Sequence, residues 1–364
     1  MLAVENILDR QHLDVLDLEP EKSAKIAGLR YVRADSLQIA RKKVGRGFSY
    51  LDANGDRISD EQELQRLKSL TIPPALTDVW LCHLPNGHLQ ATGRDAKKRK
   101  QYFYHPQWRK TRSRHKFNRL LLFGAALPSI RQTTDRHLRR HGLPREKVLA
   151  AVVQLLETTL IRIGNDRYVQ QNYSYGLTTL RDRHVEIKGS KIQFEFRGKS
   201  GVDHEIELSD RRLANVIKKC REIPGYEIFK YRDDSGDRHF IDSGDVNQYL
   251  QQITDQDFTA KDFRTWAGTL LTAIELNDLG EFKTEQQADN NVTQAIKNVA
   301  RQLGNRPATC RKYYVHPGVI KAYKNNSLIN LMSQKSNYES ATNGLSFEEM
   351  VVIEVIKQEL DLPL

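Results

Sequence analysis

The sequence is poor in cysteine and has no long apolar run. Its three cysteines, Cys82, Cys220 and Cys310, lie far apart and match neither a zinc site nor a disulfide framework, which indicates a reducing compartment. No stretch of about 18 apolar residues exists, so a transmembrane helix is excluded. The acidic N-terminus is not a secretory signal. We expect a cytoplasmic protein, nucleoid-associated if its source is bacterial, without a metal site.

Acidic residues are outnumbered by basic ones, 46 against 57, which gives a formal net charge of +11. Most of the excess lies between Arg94 and Arg119, where eleven Lys or Arg accompany a single acid, Asp95. A block of like charge can be a merely solvated face. Here aromatic side chains interrupt the block, and they can stack on bases while the cations meet phosphates. We therefore predict that this basic segment binds nucleic acid.

The length of 364 residues suggests two domains. We predict an α+β fold with an N-terminal extension over 1–25, a β-rich N-terminal domain over 26–110, and a larger, mainly helical C-terminal domain over 111–364. Alternating apolar residues predict a small antiparallel sheet with strands over 184–187, 192–196 and 205–208. Helical spacing predicts helices over 146–163, 209–220, 245–252, 260–275, 287–303, 317–332 and 346–360.

Two adjacent tyrosines, Tyr313 and Tyr314, end a basic segment that begins near Asn305. A phenol with a pKa of about 10 is a weak nucleophile, so its attack on a phosphodiester requires cations that stabilise the developing charge. The chain is rich in such cations and has no carboxylate cluster. The pattern predicts phosphoryl transfer onto a tyrosine, and it leaves both tyrosines open as candidates.

Three further cations occupy unusual positions, although each alone has an ordinary structural explanation. Arg162 ends an otherwise apolar predicted helix, where it could simply complement the helix dipole. Lys199 lies in a tight hairpin turn, where exposed lysines are common. Arg264 lies at an apolar helix start, where it could form a salt bridge at the edge of the core. The combination is more informative than any one residue.

Taken together, these residues resemble the poxvirus-type type IB DNA topoisomerases, which are also found in bacteria. The resemblance extends from about Ile72 to the C-terminal end. Its motifs are Gly93-Arg94-Asp95, Lys100-Gln101-Tyr102-Phe103-Tyr104, Ile161-Arg162-Ile163-Gly164, Tyr175-Gly176-Leu177-Thr178-Thr179-Leu180, Phe196-Arg197-Gly198-Lys199 and Lys261-Asp262-Phe263-Arg264-Thr265.

The resemblance implies a set of catalytic roles. The family's tyrosine lies nine residues past the position of Asn305, which selects Tyr314 as the nucleophile. The resemblance also implies that two arginines bind the scissile phosphate, that a hairpin lysine protonates the leaving 5′-oxygen, and that a second lysine assists proton transfer; these are Arg162, Arg264, Lys199 and Lys261. Poxvirus members carry His where this chain has Asn305. Asn can donate a hydrogen bond to a phosphate oxygen but cannot carry charge.

The resemblance further implies a monomer that closes as a clamp around duplex DNA and relaxes supercoils through a 3′-phosphotyrosyl intermediate, with no cofactor, metal or ATP. The implied DNA contacts are Lys97, Arg99, Gln101, Tyr102, Tyr104, Arg167 and Tyr168. The loop Gly164–Tyr168 replaces a more basic loop of the poxvirus enzymes, so their cleavage-sequence preference is not expected here.

Two alternative functions share parts of this pattern. A tyrosine site-specific recombinase would use the same chemistry, but it carries a His-x-x-Arg motif where this chain has Lys261-Asp262-Phe263-Arg264. A non-catalytic architectural DNA-binding protein would explain the basic segment, but not the combination of Arg162, Lys199, Arg264 and Tyr314.

Overall fold

The computed structural model describes residues 20–45, 47–334 and 344–360. It is a mixed α/β structure with small antiparallel sheets. Its contacts divide the chain into two compact units, one ending at Arg119 and the other beginning at Leu120. Most of the predicted extension over 1–25 lies outside the described residues, and the predicted domain boundary near residue 110 stays a prediction. No helix in the described ranges is long and apolar enough to cross a membrane.

The N-terminal unit is built on a five-stranded antiparallel sheet with the order β2-β1-β3-β4-β5. The strands are β1 (Ile39–Val44), β2 (Gly47–Leu51), β3 (Thr77–Leu81), β4 (Leu89–Arg94) and β5 (Lys100–Tyr104). Helix α1 (Pro20–Ile26) precedes the sheet, and α2 (Glu61–Ser69) follows β2. Asp60 caps α2 by accepting from the Glu63 amide at 2.7 Å. Leu67 of α2 is buried in one cluster with Tyr50 and Leu81 of the sheet.

The C-terminal unit is mainly helical. The boundary between the two units lies within the long helix over Pro106–Leu138. Its helices are α3 (Pro106–Leu138), α4 (Arg145–Thr159), α5 (Asp166–Asn172), α6 (Arg211–Arg221), α7 (Ser243–Thr254), α8 (Ala260–Leu279), α9 (Glu285–Gln302), α10 (Pro307–Tyr313), α11 (Pro317–Lys324), α12 (Ser327–Met332) and α13 (Phe347–Glu359). Its strands are β6 (Val185–Lys188), β7 (Lys191–Arg197), β8 (Asp203–Ser209), β9 (Lys230–Arg232) and β10 (Arg238–Phe240).

Helix α8 is central to the helical packing, since it contacts α4, α9, α11 and α13. A buried carboxylate ties α13 to this group. Glu349 of α13 pairs with Arg131 of α3 at 2.6 Å and accepts from the Trp266 indole of α8 at 3.3 Å. Close packing continues at Gly124 of α3, where a Cβ would lie 2.5 Å from the Trp266 ring. Helix α8 is therefore held firmly along much of its length.

The predicted small sheet is confirmed. Strands β6, β7 and β8 form it in sequence order, and a short turn over Lys199–Gly201 joins β7 to β8. Ser200 takes a left-handed conformation in that turn, with φ of 65°. Lys199 thus lies at the tip of a regular hairpin, as the alternation of apolar residues predicts.

Two predicted helices are wrong in extent. The helix expected over 146–163 ends at Thr159, because Leu160 adopts a left-handed conformation with φ of 56°. Arg162 therefore lies in an irregular segment beyond the helix rather than at its end. The helix expected over 317–332 is broken into α11 and α12, because Asn326 between them is also left-handed, with φ of 64°.

Candidate active site

Arg264 is buried near the start of α8, with only 4% of its surface exposed. The helix begins after Thr259, whose amide and hydroxyl both donate to the Asp262 carboxylate, at 2.8 and 2.9 Å. The Arg264 guanidinium donates to the carbonyl of Leu160 and, at 2.6 Å, to the carbonyl of Leu303. Its Nε is buried and has no hydrogen-bond partner within the described part of the chain. The Nε–H group is thus able to donate to a ligand.

Arg162 lies in a segment that is fastened by backbone contacts. Its carbonyl accepts from the Leu177 amide at 2.8 Å, and the next carbonyl, of Ile163, accepts from the Thr178 amide at 2.7 Å. Gly176 permits this approach, since a Cβ there would lie 2.5 Å from the Arg162 carbonyl oxygen. The segments 161–164 and 175–180 therefore pack against each other, and this contact fixes the backbone of Arg162.

The segment between α9 and α10 holds both arginines. The Leu303 carbonyl accepts from Arg264, and the Gly304 carbonyl accepts from the Arg162 Nη2 at 3.1 Å. The Asn305 Oδ1 also accepts from Arg162. The Asn305 Nδ2 is buried without a hydrogen-bond partner among the described residues. Like the Arg264 Nε, it is a donor that an anionic oxygen would satisfy.

Tyr314 lies beside this pair of cations. It follows α10 directly, and its ring centroid is 5.5 Å from the Arg264 Cζ. Tyr313 is 47% exposed, and its ring lies 5.3 Å from the Lys312 ammonium, whereas Tyr314 is half-buried. The two adjacent tyrosines thus have different surroundings, and the ring of Tyr314 faces Arg264.

Helix α8 also fixes the backbone of Tyr314. The Thr269 hydroxyl donates to the Tyr314 carbonyl at 3.2 Å and accepts from the His316 amide at 3.0 Å. At Gly268 a Cβ would lie 2.5 Å from the Tyr314 carbonyl oxygen and 2.8 Å from its Cβ. Sequence reasoning missed both Gly268 and Thr269, because a glycine or threonine inside a helix carries no signal of the chain that packs against it.

The site is strongly electropositive. Burial is the main cause that lowers the pKa of Arg264, to about 10, and the nearby charge of Arg162 lowers it further. Burial also lowers the pKa of Arg162. No carboxylate is among the described charges that shift the pKa of either guanidinium. A phosphate would supply the missing negative charge and would favour the charged form of both groups.

The two candidate lysines are exposed. Lys199 lies at the tip of the β7–β8 hairpin, and Lys261 lies in the first turn of α8, one turn before Arg264. Neither ammonium group makes a hydrogen bond to any described residue. The structure therefore brings Arg162, Arg264, Asn305 and Tyr314 together. Among the described residues, it shows no hydrogen bond from the ammonium group of Lys199 or Lys261 to this group. No three metal-ligating side chains cluster in the described ranges.

The predicted DNA contacts of the N-terminal unit lie on and before β5. Tyr102 and Tyr104 are two residues apart, so they share a face of the strand, and their rings stack with centroids 6.2 Å apart. Gln101 donates to Asp95 at 3.0 Å, and Arg99 pairs with the same carboxylate at 2.7 Å. The exposed Lys97 completes the turn before the strand. Asp95 thus organises the cations of this turn.

The other predicted contacts, Arg167 and Tyr168, belong to the C-terminal unit. Both are exposed in the first turn of α5. Asn165 caps this helix by accepting from the Arg167 amide at 3.0 Å. The helix follows the Arg162 segment directly, so these side chains are close in sequence to the candidate site.

Comparisons with known proteins find similar sequences over most of the chain. Residues 105–341 match the family model for the catalytic core of eukaryotic DNA topoisomerase I, and residues 47–95 match the N-terminal domain of bacterial DNA topoisomerase IB. The chain is 31% identical to DNA topoisomerase 1B of Acanthamoeba polyphaga mimivirus over 297 residues, covering 79% of this chain and 88% of that protein. It is 25% identical to DNA topoisomerase 1B of vaccinia virus (strain Western Reserve), covering 76% and 86%.

Proposed function

The chain belongs to the type IB DNA topoisomerases, and we propose that it relaxes supercoiled duplex DNA through a covalent intermediate on Tyr314. One observation carries the assignment of the site. Arg162, Arg264 and Asn305 are joined by hydrogen bonds around the segment 303–305, and Tyr314 lies against Arg264. Two buried donors there, the Arg264 Nε and the Asn305 Nδ2, lack a partner among the described residues.

In the proposed reaction the Tyr314 hydroxyl loses its proton to water as its oxygen attacks the scissile phosphorus, and the bond from phosphorus to the 5′-oxygen breaks. The guanidinium groups of Arg162 and Arg264 stabilise the charge on the non-bridging oxygens, and the Asn305 amide donates a further hydrogen bond. Lys199 gives its proton to the leaving 5′-oxygen, which would otherwise depart poorly. Lys261 assists this proton transfer. The products are a 3′-phosphotyrosyl bond and a free 5′-hydroxyl.

The intermediate conserves the energy of the phosphodiester, so resealing needs neither ATP nor a metal ion. The free strand rotates about the intact one, and its 5′-hydroxyl then attacks the phosphotyrosine to restore the backbone. We propose that a monomer carries out this cycle and that its two units close as a clamp around the duplex. The exposed cations and stacked tyrosines of the 97–104 region, together with Arg167 and Tyr168, are the proposed DNA contacts.

The deciding experiment is relaxation of negatively supercoiled plasmid in EDTA without ATP. We expect the native chain to relax the plasmid and to give a covalent adduct when the reaction is stopped with denaturant. Tyr314→Phe should do neither, because the nucleophilic oxygen is gone. Tyr313→Phe is the matched control and should retain both activities. Adduct formation by Tyr314→Phe, or no relaxation by the native chain, would contradict the proposal.

A further inference from the structure

The proposed reaction assigns no role to His204. It is the second residue of β8, and it lies opposite Phe196 of β7 in the strand register. The two rings are stacked, with centroids 5.1 Å apart and planes inclined by 19°. This stacking holds the imidazole in one plane. The hairpin therefore determines where the edge of the ring lies.

Two glycines make room for that edge. A Cβ at Gly198 would lie 2.6 Å from both the Cδ2 and the Nε2 of His204, and a Cβ at Gly304 would lie 2.6 Å from its Cε1 and 3.3 Å from its Nε2. Gly198 has φ of −96°, which any residue adopts, so space and not backbone conformation is what requires glycine there. The Nε2 corner of the ring therefore lies between two backbones.

Both of these backbones carry parts of the candidate site. Gly198 directly precedes Lys199. The segment at Gly304 holds the two arginines through the carbonyls of residues 303 and 304 and the side chain of Asn305. The imidazole is thus the spacer between the hairpin that presents the lysine and the segment that positions the guanidinium groups.

The electrostatics suit an uncharged spacer. Burial lowers the pKa of His204, and the charges of Arg162 and Arg264 lower it further. A lowered pKa favours the neutral ring, which adds no third positive charge beside the two guanidinium groups. Lys199 has no hydrogen-bond partner of its own within the described residues, so the location of its ammonium depends on where the hairpin is held.

We propose that His204 is a positioning residue for DNA cleavage, which sets the distance between the Lys199 hairpin and the segment 303–305. The inference rests on the proposed function, because it assigns His204 to the step in which Lys199 protonates the leaving 5′-oxygen. Removal of the imidazole should leave the arginines and Tyr314 in place and should impair delivery of the proton from Lys199.

The test compares two DNA substrates in single-turnover adduct formation with excess protein. One has the natural 5′-oxygen at the scissile bond, and the other has sulfur at that bridging position. A thiolate leaves without protonation, so the sulfur substrate does not need the lysine proton. On natural DNA we expect His204→Ala to be slower than the native chain by about 10- to 100-fold, the range that misplacement by about 1 Å produces. On the sulfur substrate we expect the difference to fall below about threefold.

Glu205→Ala is the matched control, since Glu205 is the exposed next residue of β8 and its side chain points to the other face of the sheet. It should stay within about twofold of the native rate on both substrates. Addition of His204→Ala to Lys199→Ala should slow cleavage of natural DNA no further than Lys199→Ala alone, because both changes affect the same proton transfer. His204→Gln, which retains more of the side-chain volume, replaces His204→Ala if the latter does not fold.

Equal losses on the oxygen and sulfur substrates would overturn the inference, because His204 would then act through the arginines or the fold. An unchanged rate on natural DNA, or additive losses with Lys199→Ala, would overturn it as well. If the native chain forms no adduct at all, the proposed function itself fails. If the native chain forms the adduct and His204→Ala forms it at the native rate, only this inference fails.

Discussion

At the scale of single residues, the two arginines are not equivalent. Arg264 is buried and uses two of its donors to bind the carbonyls of Leu160 and Leu303, while Arg162 is partly buried and is bound to Gly304 and Asn305. A guanidinium fork can satisfy such carbonyls and still present a donor to a phosphate, whereas an ammonium group offers no fixed fork. Arg264 therefore has a structural role besides the chemical role that we propose for it.

Arg264→Lys tests that geometry. We expect DNA cleavage to slow by about 100- to 1,000-fold, the loss typical when one preorganised donor to a developing anion is removed. DNA affinity should change little, since most binding energy comes from other phosphate contacts. The measurement is the single-turnover rate of adduct formation beside a filter-binding constant. Arg139→Lys, at an exposed arginine that directly follows α3, is the control, and an Arg264→Lys protein with native cleavage would contradict the expectation.

Two substitutions at Asn305 can separate the role of its Oδ1 acceptor from the role of its Nδ2 donor. Asn305→Asp retains an oxygen for Arg162 but loses the buried Nδ2 donor and adds a negative charge beside the proposed phosphate site. Asn305→Ala loses both groups without adding charge. We expect cleavage to slow by about 10-fold for Ala and by at least about 10-fold more for Asp.

The adduct-formation rate measures this order, with Asn290→Asp, an exposed amide of α9, as the control. If the Asp variant cleaves as fast as the Ala variant, the Nδ2 group does not face the phosphate.

At the scale of secondary-structure elements, α8 links Arg264, the proposed phosphate-binding cation, to Tyr314, the proposed nucleophile. Arg264 lies near its start, and one turn later Gly268 and Thr269 contact the backbone of Tyr314. The helix is in turn held by α13 through Glu349 and Trp266. A helix that carries Arg264 and contacts Tyr314 can hold these two side chains within the small tolerance that catalysis needs.

Gly268→Ala tests this link. The added Cβ would overlap the Tyr314 carbonyl oxygen and Cβ, so the nucleophile must shift even though α8 tolerates alanine well as a helix residue. We expect adduct formation to fall by more than about 10-fold while the far-UV circular dichroism stays native. Gly47→Ala is the control, since its Cβ would come no nearer than 4.0 Å to the Val44 carbonyl oxygen. Native activity of Gly268→Ala would show that Tyr314 is free to move.

At the scale of the whole molecule, buried histidines link stability to pH. Burial lowers the pKa of His316 to about 4, and burial together with the charges of Arg183 and Arg181 lowers that of His184 to about 4. In the unfolded chain both titrate near 6.5. Between pH 6.5 and 4 the unfolded chain therefore binds more protons than the folded one. The free energy of unfolding must fall as pH decreases through this window.

We expect each of these histidines to contribute a slope of up to about 1.4 kcal/mol per pH unit between pH 6.5 and 4. The check is urea unfolding of the full chain at several pH values in that range. His316→Asn keeps an acceptor for the Gly318 amide, which the native imidazole binds at 2.9 Å, but it does not titrate. Its slope should be smaller than the native slope, while exposed His141→Asn should leave the slope unchanged. Equal slopes for all three proteins would contradict the expectation.

Much of the local structure could be predicted from the sequence. The β6–β8 sheet and its Lys199 turn follow from alternating apolar residues and short-range turn chemistry, which act within a few residues. The end of α4 could not be predicted. Apolar spacing continues past Thr159, but Leu160 leaves the helix, and its carbonyl is bound by Arg264, a residue about a hundred positions later. The long-range contact overrides the local preference.

The sequence by itself determined which chemical groups the molecule has: a tyrosine among cations, no cluster of metal ligands by spacing, and a basic segment with interleaved aromatic rings. Only the tertiary structure decided which groups meet. It left Tyr313 exposed and set Tyr314 beside Arg264, and it placed His204 between the hairpin and the 303–305 segment. The physical reason is that residue type fixes charge and hydrogen-bonding capacity, whereas burial and close approach depend on segments far apart in the chain.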